Sequence, residues 1–226
     1  MNIVSFSGGK DSTAMLLMML KKGIPVDRVI CVDTTKEFPQ IYEHIQKVQS
    51  LIEPLEIEIV RIDFDYWFSE HIKTRGKRKG EKGYGWPDFR NRWCTALKRE
   101  AIKKIQSTMP GMTIQFHGIA FDEKPRVNKN KDRGIRYPLV EWEMTEKDCL
   151  EYCYSKGLDW GGLYEKFHRV SCWCCPLSRI GELRVLYNDF PELWKELEEM
   201  DKKSFRKFRN DYSVADLSEK FANENL

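Results

Sequence analysis

Ser7-Gly8-Gly9-Lys10-Asp11-Ser12 lies between a short apolar run, Ile3 to Phe6, and a longer one, Ala14 to Leu20. Four apolar residues suit a buried strand and seven suit a helix, closed here by Lys21, Lys22 and Gly23. The hexapeptide is therefore a turn leading from a strand into a helix N-terminus. Backbone N–H groups and the helix dipole favour an anion at such a place. The glycines permit a tight turn and let the backbone approach phosphate oxygens closely. Lys10 adds a cation, Ser7 and Ser12 add hydroxyls, and Asp11 is placed to cap the helix or help position Mg²⁺. The spacing differs from the Gly-x-x-x-x-Gly-Lys-Ser/Thr loop of Walker-type NTPases.

The same alternation continues. Arg28 to Val32 and Ile57 to Ile62 predict strands, with a helix over Gln40 to Leu51 between them. Thr95 to Ser107 predicts a helix and Thr113 to Gly118 a fourth strand. A glycine- and charge-rich run follows, then Tyr137-Pro138-Leu139-Val140 and a helix over Thr145 to Lys156. Strands alternating with helices imply parallel crossovers and an open α/β sheet. Beyond Pro176 the chain reads as helical, with Pro191 opening a helix through Glu199. The expected division is an α/β domain over residues 1–176 and a helical extension over 177–226.

Of the 226 residues 41% are hydrophobic and 12% aromatic, too rich for a disordered chain. No apolar run reaches the ~18 residues of a membrane span, and no export signal opens the sequence. The expected setting is the cytoplasm, without membrane contact. The seven cysteines are then expected to be reduced, so clustered thiols point to metal or redox chemistry. Cys172-Trp173-Cys174-Cys175-Pro176 holds a Cys-x-x-Cys pair with a further thiol inside, and Cys94 follows Arg92-Trp93. Such thiols can ligate zinc, hold an iron–sulfur cluster, or bind nothing. Cys31, Cys149 and Cys153 fall on predicted elements and read as core residues.

Several segments together resemble the adenine-nucleotide α-hydrolases. The Ser7–Ser12 loop is similar to the PP-loop of that superfamily. Asp33-Thr34-Thr35-Lys36-Glu37-Phe38-Pro39, Gly118-Ile119-Ala120-Phe121-Asp122-Glu123 with Arg126, and Tyr137-Pro138-Leu139-Val140-Glu141-Trp142 resemble segments of its phosphoadenosine phosphosulfate (PAPS) reductase branch. The likeness is collinear from about residue 3 to 176. It implies a Rossmann-like open parallel sheet flanked by helices, with adenine and ribose over the strand ends near Phe6, Asp33 and Gly118. It implies that residues 7–12 hold phosphates, that Asp33 lies near ribose or metal, and that Arg126 contacts sulfate or phosphate. Ala120 stands where the family has arginine.

Reductases of that branch carry a cysteine in a C-terminal Glu-Cys-Gly-Leu-His tail and have degenerate loops. Here the loop is intact and the last fifty residues hold no cysteine. The expected nucleotide is therefore ATP with Mg²⁺, and the expected reaction is adenylylation of a substrate for sulfur transfer, with Lys10, Asp11 and Cys94 as catalytic candidates. Adenylyl-sulfate reductases and the ATPases of DNA phosphorothioation resemble the cysteine layout. That similarity implies a 4Fe–4S cluster, with zinc as the alternative, on Cys94, Cys172, Cys174 and Cys175. The second reading is a PAPS or adenylyl-sulfate reductase drawing electrons from Cys94 or the Cys172 group. The third is a nucleotide-binding subunit without turnover.

Charge is concentrated in one place. Residues 73–92 hold eight Lys or Arg against Glu81 and Asp88, a charge of +6 in a chain of net charge +3. Tyr84, Trp86, Phe89 and Trp93 interleave with these cations. That mixture suits a nucleic-acid backbone with unstacked bases (tRNA or DNA); it also suits a lid over ATP or a solvated loop. A protein that donates sulfur is a further expected partner. The basic run Lys202 to Arg209 is expected to be helical, with Phe205 and Phe208 packed inward.

Overall fold

The computed structural model describes residues 1–127 and 134–224. Part of the charged run expected after Gly118 lies outside them. The chain separates into two compact units. Unit 1 comprises Met1–Asp33, Glu37–Arg61 and Arg99–Leu163; unit 2 comprises Thr34–Lys36, Ile62–Lys98 and Tyr164–Leu226.

Unit 1 is built on five parallel strands: β1 (Asn2–Phe6), β2 (Arg28–Asp33), β3 (Ile57–Arg61), β4 (Ile114–His117) and β5 (Ile135–Arg136), in the order β3-β2-β1-β4-β5. This is the open α/β sheet expected from the alternation. β1 is central, with Val4 beside Val29 on one side and Phe116 on the other. A central parallel strand is covered on both faces, which is why its sequence is an almost unbroken apolar run. Ile3, Val4, Phe6, Val29, Ile30 and Phe116 are all buried. The edge strand β3 leaves Ile59 half exposed.

Helices α1 (Lys10–Lys21), α2 (Pro39–Leu51) and α3 (Trp93–Ser107, divided between the units) have boundaries close to those expected. The short helix α4 (Pro138–Glu141) precedes α5 (Glu146–Tyr154). Thr145 and Asp148 form a reciprocal capping box on α5, which fixes where it starts. Cys149 and Cys153 on α5 and Cys31 on β2 are buried, as expected of core cysteines. The two-residue β5 was not legible, because so short a strand carries no periodicity.

Unit 2 holds a π-helical turn (Tyr66–Glu70), α6 (Leu163–Lys166, at the division), α7 (Ile180–Asp189), α8 (Pro191–Lys203) and α9 (Val214–Glu224). The helical C-terminal part is thus present, with one correction. The run expected as a helix through Arg209 leaves the helix at Ser204, which has extended backbone. Phe208 is buried at 2% exposure, whereas Phe205 is 46% exposed, with Lys73 and Arg78 over its ring. Cation–π contact takes the place of burial for that side chain.

Phe116→Ala in β4 is expected to cost about 3–5 kcal/mol by emptying a buried ring site. Chemical denaturation of the variant measures this.

Candidate functional site

Strand order 3-2-1-4-5 makes the chain turn away in opposite directions on the two sides of β1. In such sheets ligands bind at this reversal, outside the carboxyl ends of the strands. Ser7 follows β1 and Gly118 follows β4, so both candidates fall there. A Cβ on Gly118 would sit 2.8 Å from the backbone N and Cα of Ser12 and 2.9 Å from the carbonyl carbon of Asp11. Only glycine lets the end of β4 approach the first turn of α1 this closely.

Gly9 is the N-cap of α1, and no side chain caps it. The capping role open to Asp11 on sequence is therefore not taken. N–H groups of the first helical turn have no helical acceptors, the standard state of a helix N-terminus. The serines instead shape the loop. Ser12 Oγ accepts from Ser7 N at 3.1 Å and donates to the Gly9 carbonyl at 3.0 Å. Gly8 has φ +75° and abuts Ile41 and Ile45 of α2.

Lys10 is 7% exposed. Its ammonium donates to both Asp11 oxygens, at 3.0 and 3.1 Å, and to Glu146 Oε2 at 2.7 Å. Burial by itself would lower the lysine pKa, but the two carboxylates outweigh it and hold the ammonium above its ordinary value. Asp11 is raised, first by burial and then by the negative charges of Glu146 and Glu123, against the opposing pull of Lys10. Glu146 at the start of α5 is a site residue that sequence reasoning missed: nothing in the α5 capping box signals that its neighbour reaches Lys10.

Asp33, at the end of β2, is 5% exposed and accepts from the Tyr42 hydroxyl at 2.9 Å, with Arg61 Nε 3.7 Å away. Arg126 lies in a 3₁₀ turn after β4, exposed and paired with Glu123. Ser7 to Ser12, Asp33, Gly118 and Arg126 all belong to unit 1.

The cysteines Cys94, Cys172, Cys174 and Cys175 belong to unit 2. Their chemistry suits zinc or iron, but their placement does not form a ligand set. Among the described residues, no three His, Cys, Asp or Glu side chains converge to hold a metal ion. Cys172 and Cys175 close a turn in which the Cys175 N–H donates to the Cys172 carbonyl at 3.1 Å. Cys172 Sγ lies 3.4 Å from Thr34 Oγ1, and Cys174 is 1% exposed. Cys94 and Cys175 are electrostatic neighbours: burial raises the Cys175 pKa, and Cys94 adds to the rise while Arg169 and Arg92 oppose it. The proposed chemistry is therefore derived without a step through a metal.

The basic segment is more ordered than a solvated loop. Lys73 is buried, its N–H donating to Glu81 O and its carbonyl accepting from Gly80 N. Trp86 is buried and donates its indole N–H to Asp201 at 2.7 Å; Trp93 is buried and donates to Gly85 O. Of the four interleaved aromatics, Phe89 is the one that projects, 75% exposed with Arg92 over its ring.

With this geometry in place, the comparisons with known proteins give the class. Residues 1–178 match the family described as the phosphoadenosine phosphosulfate reductase domain, and the chain belongs to that enzyme family. An uncharacterized protein of Methanocaldococcus jannaschii is 30% identical over 87% of this chain, and the match spans 40% of that protein's length. The adenosine 5'-phosphosulfate reductase of Geobacillus kaustophilus is 24% identical over 75% of this chain and 72% of its own length. A solved structure of the U34-tRNA thiolase NcsA from Methanococcus maripaludis, with its 4Fe–4S cluster, is similar at TM-score 0.44 and 14% identity, covering 99% of this chain and 70% of that one. Among the described residues, no helix is long and apolar enough to cross a membrane.

Behind the loop, burial lowers the His44 pKa to about 4. An unfolded histidine takes its proton near pH ~6.5. Between those values the unfolded chain binds more protons, so the stability from the neutral ring is complete above the upper value and is lost as pH falls through the lower one. The loss expected from His44 is about 3 kcal/mol. Denaturation of wild type and His44→Phe across this window checks it: the variant's stability should fall less steeply.

Proposed function

We propose that the chain is a PP-loop ATP pyrophosphatase that adenylylates a substrate for sulfur transfer. The observation that carries this is the Ser7–Ser12 loop at the switch point, with a buried, charged Lys10 at a helix N-terminus. In this reading ATP enters with Mg²⁺, its β- and γ-phosphates on the loop. A substrate oxygen attacks the α-phosphorus, and the bond to the β-phosphate breaks. The products are an AMP ester and pyrophosphate. The loop N–H groups and Lys10 oppose the charge that develops on the leaving pyrophosphate, where fixed donors have the largest effect. A sulfur nucleophile then displaces AMP from the activated carbon. Asp11 and Glu146 keep Lys10 protonated and aimed before the nucleotide arrives. Asp33 and Gly118 are assigned to the nucleoside end, and Arg126 to an anionic group.

Lys10→Ala is expected to reduce ATP-dependent pyrophosphate release at least a hundredfold with the fold intact by circular dichroism. Turnover at the wild-type rate would remove the assignment.

For the acceptor we propose nucleic acid, met by the 73–93 segment. The exposed Phe89 beside Arg92 supports this, since stacking on an aromatic is worth ~1–3 kcal/mol per base. Phe89→Ala should weaken binding of single-stranded RNA about tenfold in a filter assay at fixed salt.

Similarity to an adenosine 5'-phosphosulfate reductase favours a second reading, reduction of adenylyl sulfate with Cys94 or the Cys172 group as the thiol source. Formation of AMP and sulfite from adenylyl sulfate, without pyrophosphate, would select it. Iron, sulfide and zinc analysis of protein purified without air tests the cysteines as a metal site under either reading.

A further inference from the structure

Three buried side chains of unit 1 that the proposed chemistry does not use form a continuous set of contacts behind the phosphate loop. Trp160, 1% exposed, donates its indole N–H to the Gly8 carbonyl at 2.7 Å. Its ring stacks on His44, with 4.2 Å between centroids and 24° between planes. His44 Nε2 and Thr13 Oγ1 share a hydrogen bond of 2.9 Å, and the Thr13 N–H donates to the Gly9 carbonyl at 3.0 Å. The contacts begin on one glycine of the loop and return to the other.

Trp160 reaches this position at φ +52°, a conformation a bulky side chain rarely adopts. Gly161 and Gly162 follow at φ +59° and +79°, which glycine accepts without penalty. A glycine would therefore suit position 160 as well as far as the turn is concerned. Strain of this kind persists where the surroundings over-determine it, and it gathers at functional sites.

The direction of the Gly8 carbonyl has a consequence for anion binding. In a trans peptide, C=O and N–H point in opposite directions. With the carbonyl committed to the buried indole, the Gly9 N–H faces away from it, toward Ser7 Oγ at 3.4 Å. Rotation of this peptide plane would swap the two and present a carbonyl oxygen, which repels phosphate, where a donor stood. Between two glycines, no Cβ resists that rotation.

We propose that Trp160, seated on His44, is a positioning residue that locks the Gly8–Gly9 peptide with its N–H on the loop side, where an anion replaces the long contact to Ser7 Oγ. The proposal rests on the nucleotide reading for the identity of that anion; the lock itself belongs to the loop without nucleotide.

Trp160→Phe retains a stacking ring and removes the donor. Amide hydrogen exchange without nucleotide reads the lock directly, and equilibrium dialysis with ATP and Mg²⁺ reads its effect on binding. The expected result is exchange about tenfold faster for the amides of residues 7–13, with β2 and α5 unchanged and ATP affinity about tenfold weaker. In turnover, KM for ATP should rise more than kcat falls. Wild-type exchange in the loop, or acceleration spread evenly over the sheet, overturns the proposal; the second outcome marks a merely structural tryptophan. If wild type binds no ATP yet its loop responds to Trp160→Phe, the lock stands and the nucleotide reading falls. Should Trp160→Phe not fold, Thr13→Val, which cuts the other end of the set, is judged by the same two measurements.

Discussion

A lysine ammonium cannot be buried without opposing charge, and in this protein that requirement falls on the residue that opens α1. Lys10 is held by Asp11, its neighbour in sequence, and by Glu146, more than a hundred residues later. The second contact ties the start of α5 to the start of α1. The same pair of helices buries Cys149 and Cys153, and Cys153 Sγ lies 3.6 Å from the Lys10 carbonyl. The pKa of Cys153 is pushed up to about 12 by burial, so it serves as packing and not as a nucleophile. Charge compensation at one lysine thereby fastens the start of α5 to the start of α1.

The loop depends on constraint from several directions. The end of β4 approaches through Gly118, α2 supports Gly8 through Ile41 and Ile45, and Trp160 takes the Gly8 carbonyl. None of these is a strong interaction alone. Together they leave the short turn few alternative conformations; under the proposed nucleotide reading, that lowers the entropy lost on binding. In the proposed reaction, donors preorganised in this way would stabilise the developing charge without reorganising.

Unit 2 treats its charges differently. Lys36 is 4% exposed and paired with Asp65 and Glu196, while Arg206 pairs with Asp88. Arg209 donates to the carbonyls of Pro176 and Ser178 at 2.7 Å, so the chain after α8 is fastened to the segment after the cysteines. A cavity of about 390 Å³ opens between that segment and residues 86–89. Within the 73–92 segment Lys73 and Arg78 pair with Glu81 and Lys82 with Glu70, while exposed Phe89 carries Arg92 over its ring.

The sequence by itself determined the alternation of strands and helices, the loop after β1 and the burial of Cys31, Cys149 and Cys153. Those features are local: apolar period, turn residues and helix ends act within a few positions of one another. It also placed Asp33 and Gly118 at strand ends, through resemblance of short segments. Tertiary structure alone decided that Glu146 meets Lys10, that Trp160 meets Gly8, and that Trp86 and Trp93 lie inside while Phe89 lies outside. It also set Cys172 beside Thr34 and Cys175 within the influence of Cys94. Spacing along a chain says which side chains can be neighbours; the direction each one points is set by packing between elements distant in sequence, and that carries no local signature.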